Sequence, residues 1–102
     1  ADYARAFARL ENHYFQHHGW LDADHQILAR TDRLANIPGV IVQGRYDMIC
    51  PPLSAYTLAQ QWPRAKLTFV GRAGHALSEP GISAELVRAM DRFATDRTRL
   101  GV

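Results

Sequence analysis

Two residues of this sequence, Asp47 and His75, have the types and the setting that proton-transfer chemistry requires. Asp47 follows a β-branched run that ends at Gly44, and His75 follows a second apolar run that ends at Val70. Adjacent parallel strands end at one edge of a sheet, where open α/β sheets place their ligand crevice. A carboxylate beside an imidazole orients the ring and stabilises its protonated form, as in the acid–base half of a Ser-His-Asp relay. An aspartate that caps a turn and a histidine that pairs within its loop form the alternative, which residue types alone leave open.

The elements that must position this pair are strands and helices in alternation. Residues 40–44 and 66–70 predict two strands, the first without alternation, as expected for a strand covered on both faces. Helical spacing of apolar residues predicts three helices and a weaker fourth, over residues 2–18, 52–62, 82–97 and, more weakly, 24–34. A strand, a helix and a second strand in succession predict a right-handed crossover with parallel pairing. The predicted fold class is therefore α/β, with two parallel strands and flanking helices.

Two parallel strands are too few for a complete sheet. They leave two open edges and cannot cover helices on both faces. The pattern therefore predicts one end of a larger sheet. A non-catalytic module that oligomerises or docks through an open strand edge is the contrasting alternative.

Composition and charge exclude several classes of protein. A chain of 102 residues, 47% hydrophobic and 22% charged, is typical of one globular domain. The formal net charge is +2, and the basic residues are scattered, so no footprint for nucleic acid or an anionic membrane is present. No apolar run reaches the roughly 18 residues of a membrane span. We expect no nucleic-acid partner and no membrane partner.

Cysteine and histidine usage bears on compartment and on metal binding. The single cysteine, Cys50, cannot form an internal disulfide, which fits a reducing compartment and predicts a cytoplasmic protein. His13 and His17 stand four residues apart, but no carboxylate or cysteine completes a zinc site. The sequence therefore predicts no metal and no cofactor.

A carboxylate interrupts the apolar face of the first predicted helix. At 100° per residue, Glu11 projects between Phe7 and Phe15. An unpaired buried charge is strongly destabilising, so Glu11 must be paired, hydrogen-bonded or directed at a ligand. An internal ion pair with Arg9 or another arginine is the alternative to a ligand-binding role.

Three stretches carry a resemblance to a known family: Ala8–Phe15 (ARLENHYF), Ile37–Asp47 (IPGVIVQGRYD) and Ala73–His75, the last followed by Glu79-Pro80. They resemble the C-terminal third of bacterial proline iminopeptidases, which are α/β-hydrolase serine aminopeptidases that release N-terminal proline. Gly-Arg-Tyr-Asp and Gly-His are shared widely among α/β-hydrolases, whereas Glu-Asn-His-Tyr-Phe narrows the resemblance to this subfamily. The resemblance covers almost the whole chain.

This resemblance implies roles for three residues. Asp47 would be the triad acid, His75 the general base, and Glu11 a carboxylate that helps to bind the protonated α-amino group of the substrate. Residues 1–36 would be a helical segment from the end of the cap region, and residues 37–102 the C-terminal strand-helix-strand-helix part of the α/β-hydrolase core. The implied partners are a peptide with N-terminal proline and the missing N-terminal part of the same enzyme, with a homo-oligomer left open.

The sequence departs from this family in lacking a nucleophile. Its serines are Ser54, Ser78 and Ser83, and none stands in a Gly-x-Ser-x-Gly elbow after a strand. We therefore expect the chain to be inactive by itself and to be a fragment of a longer enzyme. A fragment of another α/β-hydrolase, of the esterase or epoxide hydrolase type, is the alternative within the same fold.

Overall fold

A parallel two-stranded sheet organises the larger part of the chain. In the computed structural model, which describes residues 1–22 and 26–99, β1 (Gly39–Gly44) pairs with β2 (Ala65–Val70). The register runs from Gly39 opposite Ala65 to Gly44 opposite Val70, so both strands end together. The predicted parallel α/β arrangement is confirmed, with each strand beginning one residue earlier than the sequence pattern indicated.

Two long helices pack against this sheet. Helix α3 (Pro52–Gln61) connects the strands, and helix α4 (Pro80–Arg99) follows β2; both contact both strands. Each begins with proline, which is tolerated in the first helical turn because its missing N–H would have no partner there. Helix α4 thus begins two residues before the predicted start at Ile82, and Gly81 lies so close to the Val70 side chain that a Cβ atom would overlap it.

The segment before the sheet differs from its prediction. In its described part, the weaker helix expected over residues 24–34 is a short helix α2 (Gln26–Ala29) followed by a 3-10 turn (Thr31–Leu34); residues 24 and 25 lie outside the described part. Thr31 is buried, and its hydroxyl donates a hydrogen bond of 3.2 Å to Oε1 of Gln61. This tertiary contact holds a residue of low helix propensity in a turn rather than in a continuous helix.

The chain divides into two compact units, Ala1–Arg30 and Thr31–Val102. In the first, helix α1 (Asp2–Gln16) is followed by a 3-10 turn (His18–Trp20) whose three residues all have positive φ, between 51° and 61°. The predicted helix over residues 2–18 therefore ends at Gln16, because a left-handed run terminates a right-handed helix. The predicted boundary between residues 36 and 37 stays a prediction.

The core of the second unit is small. Among the described residues its buried apolar side chains are Ala55, Ala73, Ile82 and Ala89. Larger apolar side chains stay exposed on helices α3 and α4, among them Leu53, Tyr56, Val87 and Met90. None of the described helices combines the length and the apolar character that crossing a membrane would need.

Candidate active site

Asp47 lies three residues beyond the end of β1, in a turn that its own carboxylate organises. The Oδ1 atom accepts hydrogen bonds from the amides of Ile49, at 2.9 Å, and Cys50, at 2.8 Å. Burial opposes ionisation of Asp47, but the Cys50 amide, the His75 ring and the Ile49 amide, together with attraction to His75, outweigh it and lower the pKa of the carboxyl. Asp47 is therefore an ionised carboxylate near neutral pH although its residue is only 7% exposed.

His75 lies beyond the end of β2 and points one ring nitrogen at this carboxylate. Its Nδ1 atom is 2.9 Å from Oδ2 of Asp47. Because the carboxylate can only accept, Nδ1 carries a proton in this contact, and Nε2 of a neutral ring is left with a lone pair. The histidine side chain is 48% exposed, and Nε2 has no hydrogen-bond partner among residues 1–22 and 26–99. The ring is thus held at one nitrogen and open at the other.

The two loops that carry these residues are joined directly through their backbones. The amide of Arg45 donates to the Val70 carbonyl, and the amide of Tyr46 donates to the Ala73 carbonyl, each at 3.0 Å. Between them, Gly44 approaches the carbonyls of Ala73 and Gly74 so closely that any Cβ atom would overlap both. Glycine at position 44 therefore allows the contact that brings Asp47 to His75.

From within the sheet, Gln43 stabilises the loop that carries Asp47, residues 45–51, which we call the aspartate loop. Its buried side-chain amide donates to the Gly44 carbonyl, at 3.1 Å, and to the Cys50 carbonyl, at 3.0 Å, and lies 3.5 Å from Oδ2 of Asp47. In the sequence, Gln43 is recognisable only as part of the first predicted strand. A single amide in an otherwise β-branched run was the signal that could have identified it, because a buried amide needs partners.

Glu79 similarly stabilises the loop that carries His75, residues 71–79, which we call the histidine loop. Its Oε2 atom accepts a hydrogen bond of 2.5 Å from the amide of Gly74, the residue before His75. In the sequence, Glu79 contributes only to the family resemblance. Spacing alone could not assign it, because the contact depends on how the loop of residues 74–79 folds back on itself.

Glu11 lies on helix α1, in the first unit. Every described residue of that helix is exposed, so no apolar face is buried there and Glu11 is not a buried charge. The ion pairs found among the described residues are His75 with Asp47 and Arg88 with Glu85, so the internal arginine partner considered for Glu11 is not observed within that part of the chain. Its proposed role in binding an amino group stays a prediction.

None of the three serines occupies a strand-to-helix elbow. Ser54 is exposed in the first turns of α3, Ser78 is exposed in the turn after His75, and Ser83 is half-buried within α4. Within residues 1–22 and 26–99, no three His, Cys, Asp or Glu side chains are grouped to hold a metal ion. What the described residues assemble is an acid–base pair with one free imidazole nitrogen.

Such a pair can accept and return a proton. A nucleophile placed at Nε2 would lose its proton to the ring, and ionised Asp47 would stabilise the resulting imidazolium while holding its tautomer. The same ring could then deliver the proton to a leaving group. The chemistry suits acyl transfer, provided that a hydroxyl nucleophile and oxyanion donors come from elsewhere.

The chain is similar to several known proteins of one kind. The chain is 47% identical over 97 residues to a probable proline iminopeptidase of Leptolyngbya boryana, 49% identical over 94 residues to a proline iminopeptidase of Xanthomonas citri, and 49% identical over 91 residues to one of Arabidopsis thaliana. These matches cover 95%, 92% and 89% of this chain but only 30%, 30% and 24% of the relatives. No protein-family model matches the chain. The predicted resemblance is confirmed, and the chain spans less than a third of the length of these relatives.

Proposed function

We propose, from its similarity to proline iminopeptidases, that this chain is the C-terminal third of such an enzyme and supplies the acid and the base of its Ser-His-Asp triad. The observation that carries the proposal is the 2.9 Å contact between Nδ1 of His75 and Oδ2 of Asp47 at the shared edge of two parallel strands. The arrangement matches the chain order of α/β-hydrolases, in which the acid precedes the histidine and the nucleophile lies upstream.

In the proposed reaction a serine from the upstream part attacks the carbonyl of an N-terminal proline. The serine oxygen bonds to the carbonyl carbon while its proton moves to Nε2 of His75, and the ionised Asp47 stabilises the imidazolium. When the carbon–nitrogen bond breaks, the proton passes from Nε2 to the departing amine and a prolyl ester remains. Water then attacks this ester by the same proton relay, which releases proline and restores the serine.

Selection of a free amino terminus is the proposed role of Glu11. The resemblance assigns to this position a carboxylate that binds the protonated amino group of the substrate. The exposed position of Glu11 on α1, without an ion-pair partner among the described residues, leaves its charge available for such a contact. The proposed partners are therefore a peptide with N-terminal proline and the upstream part of the enzyme.

The packing of the second unit supports the proposal that further strands belong to this sheet. Three of its four described buried apolar residues are alanines, and neither strand has a second neighbour among residues 1–22 and 26–99. Exposed Tyr56 and Met90 add apolar surface that further elements of a larger sheet could cover. We expect the chain alone to be inactive, since the nucleophile and the oxyanion donors are missing. A cytoplasmic location, suggested by the single cysteine, belongs to the same proposal.

The test uses the complete protein and a proline chromogenic amide. We expect Asp47→Asn to lower kcat by about 10⁴-fold, since the wrong imidazole tautomer would then be favoured. His75→Ala should reduce hydrolysis to the residual rate that binding and the oxyanion donors provide. Asp91→Asn, at an exposed carboxylate of α4, is the matched control and should retain wild-type turnover. Unchanged turnover in the first two variants would refute the assignment.

The substrate class is tested separately. If the complete protein hydrolyses an ester or an epoxide but not a prolyl amide, and still requires Asp47 and His75, the α/β-hydrolase chemistry holds and the prolyl substrate is wrong. If it has no hydrolytic activity and sediments as an oligomer, the non-catalytic module is favoured instead.

A further inference from the structure

We infer that Glu79 is a positioning residue that holds His75 in the geometry its proton transfers require. The inference rests on the proposed function, because it assigns Glu79 a part in the same acid–base pair. Glu79 is half-buried and its carboxylate accepts the Gly74 amide at 2.5 Å. A hydrogen bond to an ionised acceptor is shorter and about twice as strong as a neutral one, so this contact is suited to fixing a loop.

The peptide unit between Ala73 and Gly74 is bonded at both of its polar ends. Its carbonyl accepts from the amide of Tyr46, at 3.0 Å, and its N–H donates to Glu79. Tyr46 directly precedes Asp47, so one end of this peptide is tied to the aspartate loop and the other to Glu79. This peptide is therefore fixed in place, and only the φ and ψ angles of Gly74 separate it from the peptide that carries His75.

Glu79 is itself anchored at the start of helix α4. Its carbonyl accepts from the Ser83 amide, at 2.9 Å, and its amide donates to the Ala76 carbonyl, at 3.1 Å. Ile82, three residues further along, is buried and fixes this end of the helix. The Glu79 carboxylate thus connects a packed helix to a loop whose residues 75–78 are all exposed.

His75 depends on such support because its ring is poorly packed. Nearly half of the side chain is exposed, and its hydrogen bond to Asp47 is the contact that orients the ring. A displacement of the loop by about 1 Å would open this bond, and misplacement of that size costs roughly 10²-fold in rate in enzymes that rely on positioning. Glu79 would not touch the substrate and acts only through the placement of His75.

The experiment compares three variants of the complete protein: Glu79→Ala, Glu79→Gln and Glu85→Ala. Glutamine keeps an oxygen that can accept from Gly74, whereas alanine does not. Glu85 lies within helix α4 and is paired with Arg88; among the described residues no hydrogen bond joins it to the loop of residues 71–79, so it serves as the matched control. For each variant we would measure kcat and KM on the prolyl amide, the thermal melting temperature, and the downfield proton NMR signal of His75 Nδ1–H bonded to Asp47.

We expect Glu79→Ala to lower kcat by about ten- to a hundredfold, with KM changed less than about threefold, and to broaden or remove the downfield signal. Glu79→Gln should restore most of kcat and the signal, and Glu85→Ala should resemble the wild type. If alanine unfolds the protein, the glutamine variant decides: a folded Glu79→Gln protein without the downfield signal overturns the inference.

Two further results would overturn it. One is a folded Glu79→Ala protein with wild-type kcat and an unchanged signal. The other is a raised KM with the signal intact, which would mean that Glu79 contacts the substrate. If the wild type does not cleave the prolyl amide, the proposed function fails, but the signal still reports whether Glu79 positions His75. The two failures are thus distinguishable.

Discussion

The loops that carry Asp47 and His75 differ from helix α1, which carries Glu11, in the hydrogen-bond partners of their side chains. Asp47 is buried, and its carboxylate is bonded to two amides and to the imidazole of His75. On α1 every described side chain is exposed, including the aromatic residues Tyr3, Phe7 and Phe15. The acid–base pair is assembled within residues 31–99, whereas no described contact fixes the side chain of Glu11.

This difference shows which roles the present chain can support by itself. A carboxylate held by several hydrogen bonds has a defined position and a lowered pKa, so its role can be argued from geometry. An exposed carboxylate on an exposed helix has no such fixed position, and its role must be argued from resemblance. Substitutions in the two regions should accordingly change different measurements.

The largest effect is expected where the two loops touch. Gly44→Val would place side-chain atoms against the carbonyls of Ala73 and Gly74, which are backbone atoms and cannot move independently. We expect the free energy of unfolding of the complete protein to fall by about 3 kcal/mol, the upper range for overpacking, together with loss of hydrolysis. Urea denaturation measures the change.

The control is Gly71→Ala, since a Cβ atom at Gly71 meets nothing within 4 Å and its backbone is not left-handed. Its free energy of unfolding should stay within about 0.5 kcal/mol of that of the wild type. Equal stability of the Gly44 and Gly71 variants would contradict the close contact between the loops.

Substitution of Glu11 on α1 is expected to have a smaller effect, on kcat/KM and not on stability. Glu11→Gln should lower kcat/KM for substrates with a free amino terminus by about tenfold, because a charge-assisted contact becomes a neutral one. The unfolding midpoint should not change, since Glu11 is exposed. Steady-state kinetics and urea denaturation of the complete protein provide the two measurements.

Asp2→Asn removes another exposed carboxylate of the same helix and should leave kcat/KM unchanged. If Glu11→Gln leaves turnover of prolyl substrates intact, the amino-group role is wrong and another acyl substrate is favoured.

The smallest effect is a pH dependence of stability. The pKa of Asp47 lies below its ordinary value of 3.8 in the folded state, so between the two values the unfolded chain binds more protons than the folded one. The stabilisation from ionised Asp47 is therefore complete well above pH 4 and is lost as pH falls through the folded pKa. The unfolding free energy should decrease over this range in the wild type.

Asp47→Asn lacks this ionisation, so its unfolding free energy should vary less with pH over the same interval. Urea denaturation of the wild type and of Asp47→Asn, repeated at pH values from 6 to 3, would compare the two pH dependences. If the unfolding free energy changed with pH equally in both proteins, the Asp47 carboxyl would not be stabilised in its ionised form.

Much of the site was predictable because it is encoded locally. The β-branched run before Gly44 and the apolar run before Val70 predicted two parallel strands, and the residues that follow each run predicted where Asp47 and His75 would lie. In its described part, the helix expected over residues 24–34 is interrupted after Ala29, where the buried Thr31 is bonded to Gln61, thirty residues away. A local pattern cannot represent such a contact.

The sequence by itself determined the strand order, the residue types at the strand ends and the absence of a Gly-x-Ser-x-Gly motif, because these depend on neighbouring residues and on period. Only the tertiary structure decided that Nδ1 of His75 meets Oδ2 of Asp47, that Gly44 permits the approach, and that Gln43 and Glu79 hold the two loops. The 2.9 Å contact between Nδ1 of His75 and Oδ2 of Asp47 requires two segments 28 residues apart to be placed to within fractions of an ångström. Packing against the sheet and helix α4 sets that placement, and no short stretch of sequence contains it.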